Sequence, residues 1–517
     1  MFRSLGLRPL TRLNSSRCVP RPNLFNPCIA RSFSSTSRQH QSVTEIEDEF
    51  EGERKWSTPL AKQLFAAIST TGPVPLASYM RMCLTGDIGG YYTGAIGEGR
   101  DQFGTKGDFV TSPEISQIFG ELIGIWFIAE WISQGRPKEG VQLIEVGPGR
   151  GTLMDDMLRT IQRFPAMANS IDAVYMVEAS RQLRNAQRQL LCGPDAQSSE
   201  SKSGFHSPSK YNGKQIVWTD TIKSIPIESN KMPFIIAHEF FDALPIHSFQ
   251  SAPAPAPSPP QPKASSPNSP PQPPPENTKP TMEWREMMVS PTPPGVTHAQ
   301  LGTPKSQQNE PPPEFQLTLS STPTRHSRFL PETSTRYRKL KHIPSSVIEV
   351  CPDASIFATD FAARIGGSEQ YPKAKPSGAA LILDYGTSDT VPINSLRGIR
   401  HHKRVSPFSA PGLVDLSADV DFTAIAEVAM SASEGVEVHG PVNQGDFLEV
   451  MGIRERAEQL TKAPGVDKET VGKIDGAWKR LVDKGPDGMG KLYKALAILP
   501  ENDGRRRPVG FGGDVVG

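Results

Sequence analysis

The feature that most constrains the fold of this 517-residue chain is a glycine-rich turn that directly follows a short apolar run. The run VQLIEV (residues 141–146) is β-rich, and Gly147, Gly149 and Gly151 follow it before a helical pattern begins near Leu153. Closely spaced glycines between a strand and a helix let a ligand approach the backbone without interference from a Cβ atom. The turn therefore predicts the first strand–turn–helix unit of a ligand-binding α/β sheet.

Further strand patterns alternate with helical patterns along the chain. The strand candidates that follow the glycine turn are residues 173–180, 215–220, 231–245 and 379–386. Alternating strands and helices predict a parallel sheet with helices on both faces. The polar segment 193–212 predicts a surface loop, and residues 489–499 predict the end of the C-terminal helices.

Two classes of cofactor compete for such a turn. A dinucleotide-binding fold has the pattern G-x-G-x-x-G/A, but Thr152 occupies the third position of that pattern here. The glycines fall instead as E-x-G-x-G-x-G from Glu145, which is typical of S-adenosylmethionine methyltransferases. The alternative is a turn whose glycines serve only tight packing against the sheet.

Acidic residues at the ends of the next strands support the methyltransferase interpretation. Glu178 closes the second strand candidate, where a carboxylate can accept hydrogen bonds from both ribose hydroxyls of a nucleoside. Asp220 follows the third strand candidate and is predicted to face an adenine edge. Together with Glu145 and the glycines, these residues predict a site for S-adenosyl-L-methionine.

The segment HEFFDALP (238–245) follows the fourth strand candidate, where a doubly wound sheet opens its ligand crevice. If this segment enters a helical turn, Glu239 and Asp242 lie on one side of it, and the two phenylalanines exclude water. Such a pair suits a guanidinium, which is planar, permanently charged and a multiple donor. His238 is a candidate for moving a proton. The alternative roles are helix capping and surface charge for the carboxylates and loop hydrogen bonding for His238.

Several segments of the chain together resemble the MidA-type protein arginine methyltransferases, which include mitochondrial complex I assembly factors. They are PLASYMRMCLTG, GDFVTSPEISQIFGELIG, LIEVGPGRGTL, FIIAHEFFDALPIHSF, LILDYG and DLSADVDF. The resemblance implies an α/β fold, namely a seven-stranded Rossmann-like class I methyltransferase core with inserted helical elements that cover the substrate. It also implies symmetric (type II) dimethylation of an arginine in a hydrophilic core subunit of respiratory complex I, in the mitochondrial matrix.

The resemblance assigns roles to residues of the matching motifs. Gly147, Gly149 and Gly151 would line the cofactor, and Glu178 would hold its ribose.

The same resemblance assigns the substrate side of the site. Thr111, Ser112 and Glu114 of the TSPE segment would face the cofactor or the substrate. Glu239 and Asp242 would face the target arginine.

The N-terminal segment predicts the compartment. Residues 1–44 contain seven Arg but no Lys, Asp or Glu, a composition typical of a mitochondrial transit peptide. We predict a transit peptide over residues 1–33; a disordered basic tail is the alternative. Without these residues, 50 Lys and Arg remain against 55 Asp and Glu, and this acidic balance disfavours a nucleic-acid partner.

Composition divides the rest of the chain. Twenty of residues 251–313 are proline, which predicts a mostly disordered insertion with a short strand near 282–290. The other predicted regions are a flexible lead-in (34–56), an N-terminal helical cap region (57–140), the cofactor-binding core (141–250), the remainder of the core with C-terminal elements (314–500) and a disordered tail (501–517). Apolar runs are too short for a membrane span, and cysteine and histidine spacings predict no metal site.

Three functions fit the sequence to different degrees. The first is an arginine methyltransferase that complex I assembly needs. The second is a non-catalytic assembly chaperone that retains the methyltransferase fold, and the third is a methyltransferase acting on RNA or a small molecule. The intact glycines and Glu178 favour an enzyme, because a scaffold has no need to keep them.

Overall fold

The computed structural model of the chain describes residues 54–94, 107–202, 204–211, 213–255, 281–486 and 488–512. The predicted transit peptide and nearly all of the predicted lead-in lie outside the described residues. The same holds for residues 256–280 of the proline-rich segment.

Helices of four or more residues make up much of the described chain. In chain order they are α1 (Pro59–Thr71), α2 (Leu76–Thr85), α3 (Ser112–Ile115), α4 (Gln117–Ser133), α5 (Thr152–Ile161), α6 (Pro165–Ser170), α7 (Arg181–Cys192), α8 (His298–Leu301), α9 (Arg325–Phe329), α10 (Thr335–Leu340), α11 (Pro352–Gly366), α12 (Phe422–Ala432), α13 (Gln444–Val450), α14 (Ile453–Thr461) and α15 (Lys468–Val482). Among the helices in the described ranges, none is long and apolar enough to cross a membrane.

In the described part of the chain the strands form three sheets. In chain order they are β1 (Val74–Pro75), β2 (Val141–Val146), β3 (Ile171–Val177), β4 (Ser199–Ser201), β5 (Gly204–Pro208), β6 (Gln215–Thr219), β7 (Met232–His238), β8 (His247–Pro253), β9 (Met282–Pro291), β10 (Phe315–Leu319), β11 (Val347–Val350), β12 (Ala379–Thr387), β13 (Arg397–Arg400), β14 (Lys403–Val405), β15 (Asp415–Ser417), β16 (Val420–Asp421), β17 (Val436–Asn443) and β18 (Tyr493–Pro500).

The largest sheet has the strand order β17-β18-β12-β7-β2-β3-β6-β5-β4, with β16 beside β12. Neighbouring strands from β12 to β6 run parallel, as the alternating pattern predicts, whereas β18 and β17 are antiparallel to their neighbours. Within the described residues the sheet has ten strands and not the predicted seven. Three strands account for the difference. The β4–β5 hairpin extends the sheet beyond β6, and the short β16 pairs with the last residues of β12.

Helices cover both faces of this sheet, which is why its central strands β2 and β7 are buried along their whole length. On β2, Leu143 belongs to a core cluster that includes Trp126 of α4. The next residue, Ile144, points to the opposite face and belongs to a cluster with Phe361 of α11 and Phe422 of α12. The carboxyl ends of the parallel strands are therefore left as the open edge at which a ligand can bind.

The prediction of a helix at residues 489–499 is wrong. The structure has β18 there, paired antiparallel with β12 on one side and β17 on the other. Seven of its eight residues are buried, so both faces of the strand are apolar. Such a run shows no alternation, and periodicity alone does not distinguish it from a buried helix.

Two other local predictions are also corrected. The segment 193–212 is not only a loop, because it contains the β4–β5 hairpin, whose polar residues lie at the exposed sheet edge. The tail is not disordered over residues 501–512. Arg506 forms an ion pair with the buried Glu130, Trp126 Nε1 donates a hydrogen bond of 3.1 Å to the carbonyl of Val509, and Phe511 is buried. A buried carboxylate requires a partner of opposite charge, so the ion pair between Glu130 and Arg506 holds the tail against the fold.

Two smaller sheets lie beside the large one. The first has the order β1-β9-β8-β11 with β10 also paired to β9, so the strand predicted near 282–290 is a paired strand of this sheet. The second has the order β14-β13-β15, and we call it the roof sheet because several of its residues line the cavity described next.

Candidate active site

The glycine turn between β2 and α5 has the backbone that its sequence predicts. Gly147, Gly149 and Gly151 have φ values of 64°, 51° and 82°, in the region that favours glycine. A Cβ atom on Gly147 would lie 2.5 Å from Cδ2 of Phe240, closer than carbon atoms approach. The first glycine is therefore required by packing as well as by conformation.

Gln187 of α7 holds this turn in place, and sequence analysis missed it. Its Nε2 donates hydrogen bonds to the carbonyl of Gly149 at 2.6 Å and to Glu178 at 3.3 Å. Its Oε1 accepts a hydrogen bond from Trp218 Nε1 at 2.9 Å. A glutamine in a helix with no motif around it carries no signal, so only the tertiary structure reveals this role.

A cavity of about 510 Å³ opens at the carboxyl ends of β2, β3, β6 and β7. It brings together most of the residues that the sequence predicted for the site. The predicted residues that line it are Thr111, Glu114, Glu145, Gly147, Gly149, Glu178, Asp220, His238, Glu239 and Asp242. Ser112 and Gly151 stand outside the lining: Gly151 packs on Gln187, and the backbone N–H of Ser112 donates to Glu239.

The cofactor side of this cavity contains two buried carboxyl groups. Glu178 accepts a hydrogen bond from the backbone N–H of Ser180 at 2.8 Å, and burial raises the pKa of Glu178 to about 7. Burial, and secondarily the charge of Glu178, raises the pKa of Glu145 well above its usual range. Oε2 of Glu145 is buried and makes no hydrogen bond with any described residue. These two carboxyl groups fit a ligand that carries hydroxyl groups as well as a positively charged group.

Asp220 has a different environment from these two residues. Its side chain is 72% exposed at the rim of the cavity and pairs with Arg184 at 2.5 Å. The structure thus places Asp220 at the cofactor side, but in contact with solvent and with a competing partner.

The HEFFDALP segment does not form the helical turn that would put its carboxylates on one side. It is an irregular turn after β7, and Glu239 has a φ of 49°. A positive φ on a residue other than glycine costs about 1–3 kcal/mol and persists only where the surroundings enforce it. Glu239 and Asp242 nevertheless both line the cavity. The irregular turn, and not a helix, brings the two side chains to the same cavity.

Glu239 and Asp242 form a buried acidic pair. Burial and the charge of Asp242 raise the pKa of Glu239 to about 8, although Oε1 of Glu239 accepts a 3.3 Å hydrogen bond from the N–H of Ser112. Burial raises the pKa of Asp242 to about 6, and the nearby Arg397 opposes that shift. The hydroxyl of Tyr493 opposes the rise in the pKa of Glu239. Two such groups can exchange protons near neutral pH and attract a cation.

His238 is a neutral imidazole in this site. Burial lowers the pKa of His238 to about 3, so it does not carry a charge at physiological pH. Its Nε2 lies 3.3 Å from Oε1 of Glu239 without the geometry of a hydrogen bond, and its ring packs on Phe119. His238 can therefore accept or donate one hydrogen bond to a ligand, but it is not a resident cation.

The TSPE segment forms the short helix α3 beside the acidic pair. The helix ends before Ser116, whose side chain caps the following helix α4. Thr111 and Glu114 face the cavity, and Glu114 lies 3.5 Å from Arg150 of the glycine turn. The segment thus links the cofactor side of the cavity with the acidic pair.

Asp384 of β12 shapes the HEFFDALP turn, and sequence analysis missed it. Its Oδ2 accepts hydrogen bonds from the backbone N–H groups of Phe240, Phe241 and Asp242 at 3.0, 2.8 and 3.3 Å. The residue is completely buried. An aspartate near the end of the apolar strand LILDYG was a visible signal, because a buried charge requires a function or a partner.

Replacement of Asp384 by alanine should therefore destabilise the fold. It leaves three backbone donors of the turn without an acceptor, and each unsatisfied buried donor costs about 1–3 kcal/mol. We expect the free energy of unfolding to fall by about 3 kcal/mol or more, measured by chemical denaturation. Asp389→Ala, at an exposed position after the same strand, is the control and should change it by less than about 0.5 kcal/mol. Equal effects of the two changes would contradict this role for Asp384.

Comparison with known proteins identifies the family. Residues 122–442 match the family model described as "Putative S-adenosyl-L-methionine-dependent methyltransferase". The chain is 33% identical over 455 residues to the Xenopus laevis protein named protein arginine methyltransferase NDUFAF7, mitochondrial, covering 87% of this chain and 86% of that protein. The human protein of the same name is 33% identical over 450 residues, covering 86% and 84%.

A solved structure shows the same fold. It is a Burkholderia thailandensis protein bound to S-adenosyl-homocysteine, with a TM-score of 0.59 and 22% identity, covering 88% of this chain and 95% of that one. The prediction of S-adenosyl-L-methionine as the cofactor is confirmed by the family match. The chain belongs to the S-adenosyl-L-methionine-dependent methyltransferase family that includes the mitochondrial protein arginine methyltransferases resembling it.

Proposed function

We propose that this chain symmetrically dimethylates an arginine of a hydrophilic core subunit of respiratory complex I in the mitochondrial matrix, and that complex I assembly needs this reaction. The observation that carries the proposal is a single cavity lined both by the glycine turn and by the buried pair Glu239 and Asp242. The names of the relatives, which are mitochondrial protein arginine methyltransferases, support the arginine substrate and the organelle.

The cofactor-holding residues in this proposal are those on the glycine-turn side of the cavity. Gly147 and Gly149 expose backbone to the cofactor, and Glu178 accepts hydrogen bonds from its ribose hydroxyls. Glu145 offers an unbonded carboxyl oxygen to its ammonium group, and Asp220 lies at the rim for the adenine. When bound, S-adenosylmethionine supplies an electrophilic methyl group.

The residues that act on the arginine are Glu239, Asp242 and His238. The two carboxyl groups hold the planar guanidinium and fix the direction in which its nitrogen faces the methyl donor, a positioning effect. Glu239 then takes the proton that the methylated nitrogen loses, since a carboxyl group with a raised pKa accepts a proton readily near neutral pH. Neutral His238 completes the hydrogen bonding of the guanidinium without repelling it.

The test is a methyl-transfer assay on the full chain after removal of residues 1–33. The protein is incubated with labelled S-adenosylmethionine and with each isolated hydrophilic core subunit of complex I, and the labelled product is hydrolysed to amino acids. We expect label in symmetric dimethylarginine of one subunit. Binding of S-adenosylmethionine with no label in any subunit would contradict the proposal and favour a non-catalytic chaperone.

The raised pKa values predict the pH dependence of this reaction. The carboxyl groups of Asp242 and Glu239, with pKa values of about 6 and 8, are increasingly protonated below those pH values and then no longer attract the guanidinium. With S-adenosylmethionine saturating, kcat/KM for the protein substrate should rise from pH 6 to pH 8. The charged or titratable groups that also interact electrostatically with the pair are Glu114, Asp384, Asp415, Asp419, Arg397, Tyr92, Tyr385 and Tyr493. A profile that falls over this range would contradict a cation-binding role for the pair.

A further inference from the structure

The roof sheet contributes five residues to the lining of the cavity. Its residues in the lining are Arg397 and Ile399 of β13, Arg404 near the middle of β14, and Asp415 and Ser417 of β15. The cavity therefore has a wall from the large sheet and a wall from the roof sheet. The acidic pair belongs to the first wall, and the second wall supplies a further carboxyl group, Asp415.

Asp415 is buried and held by a tyrosine from outside the large sheet. Its Oδ1 accepts a 2.9 Å hydrogen bond from the hydroxyl of Tyr92, which lines the same cavity. Burial, and secondarily the charge of Asp242, raises the pKa of Asp415 to about 7. Asp242 and Asp415 both line the cavity, so each wall contributes a carboxyl group to the same space.

Tyr92 is itself fixed by its neighbour. Tyr91 packs edge-on against Tyr92 with ring centroids 5.0 Å apart, and the Tyr91 hydroxyl donates to Asp108 at 2.8 Å. Asp108 in turn accepts a hydrogen bond from the backbone N–H of His401, which joins β13 and β14. The two consecutive tyrosines thus tie the segment after α2 to the roof sheet at two points.

The cavity also contains a polar group that has no partner. His238 is buried, lines the cavity, and its Nε2 makes no hydrogen bond with any described residue. A buried polar atom without a partner costs about 1–3 kcal/mol, so its presence points to a ligand that completes it. A cation with several N–H donors can donate hydrogen bonds to the imidazole and to carboxyl groups on both walls.

We propose, on the basis of the proposed function, that the target guanidinium is bound between Asp242 of the turn that follows β7 and Asp415 of the roof sheet, with Tyr92 as the positioning residue for Asp415. A guanidinium carries five N–H donors in a plane and can bond carboxylates on both of its sides. A lysine ammonium is a compact point charge and does not match two separated acceptors equally well. The roof sheet thereby makes the cavity selective for arginine.

The test measures binding of Nα-acetyl-L-arginine amide to the full chain saturated with S-adenosyl-homocysteine, by calorimetry. Nα-acetyl-L-citrulline amide, which has nearly the same shape but no charge, is measured in parallel. We expect the wild type to prefer the arginine amide, and Asp415→Asn to bind it at least tenfold more weakly with unchanged affinity for S-adenosyl-homocysteine. Tyr92→Phe keeps the carboxyl group and should reduce the arginine-to-citrulline ratio by a smaller factor.

Asp421→Asn is the matched control, because it changes an aspartate that also bonds a tyrosine, Tyr337, but does not line the cavity. It should leave the arginine-to-citrulline ratio unchanged. A wild type that fails to bind S-adenosyl-homocysteine would contradict the proposed function itself. Normal binding of S-adenosyl-homocysteine without preference for arginine, or an Asp415→Asn variant with wild-type preference, would overturn only the two-wall subsite. If Asp415→Asn does not fold, an unchanged ratio in Tyr92→Phe overturns it.

Discussion

Gly149→Val should abolish measurable binding of S-adenosyl-homocysteine. Gly149 lines the cavity with a φ of 51°, a conformation that a β-branched residue adopts only under strain. Its carbonyl is also held by Gln187, so the turn cannot rotate to relieve that strain without losing the hydrogen bond. Backbone strain of about 1–3 kcal/mol and steric overlap with the ligand together predict a loss of at least about a hundredfold in affinity.

Gly213→Val is the matched control for this prediction. Gly213 has a φ of 63°, and no atom lies within 4 Å of the position that its Cβ would occupy. The change therefore introduces similar backbone strain outside the cavity. Calorimetric titration should show wild-type affinity for S-adenosyl-homocysteine in this variant. Similar losses in both variants would mean that strain alone, and not the cofactor site, explains the effect.

Glu239→Gln should reduce methyl transfer by at least about a hundredfold while cofactor binding stays unchanged. In the free protein the pKa of Glu239 is raised to about 8, so its side chain is mostly protonated at pH 7 and close in shape and charge to glutamine. The variant should therefore fold normally. The charge becomes important only when a guanidinium enters, and loss of a charge-assisted contact at a reacting group costs about 3 kcal/mol or more.

The control for this substitution is Glu349→Gln. Glu349 of β11 is also buried and also has a raised pKa, but it lies outside the cavity and bonds Ser395. Its replacement should leave kcat unchanged when both substrates are saturating. If Glu239→Gln weakens binding of S-adenosyl-homocysteine as much as it slows transfer, Glu239 belongs to the cofactor side of the cavity instead.

The parts of the site that the sequence predicted are those encoded locally. The glycine turn is specified by three residues within five positions, because their positive φ values require glycine regardless of the rest of the chain. Strand β2, which precedes it, is specified by the β-rich run VQLIEV. The acidic pair was found for its position after a strand, although the helical turn assumed for it was wrong.

The parts that the sequence did not predict depend on contacts between distant segments. Asp384 lies more than 140 positions from the turn whose N–H groups it accepts, and Tyr92 lies 323 positions from Asp415. Neither distance leaves a periodic signal. Strand β18 was mistaken for a helix because burial on both faces removes the alternation that identifies a strand.

The most direct test of the account is a single-turnover experiment with excess enzyme, an arginine-containing subunit of complex I and S-adenosylmethionine. Mass spectrometry then quantifies S-adenosyl-homocysteine and methylated arginine in the same sample. We predict that wild type forms one S-adenosyl-homocysteine for every methyl group transferred, hence two for each symmetric dimethylarginine, and that Glu239→Gln forms neither product while still binding the cofactor. Two results would contradict this account: wild type forms S-adenosyl-homocysteine without methylated arginine, or Glu239→Gln forms methylated arginine at the wild-type rate.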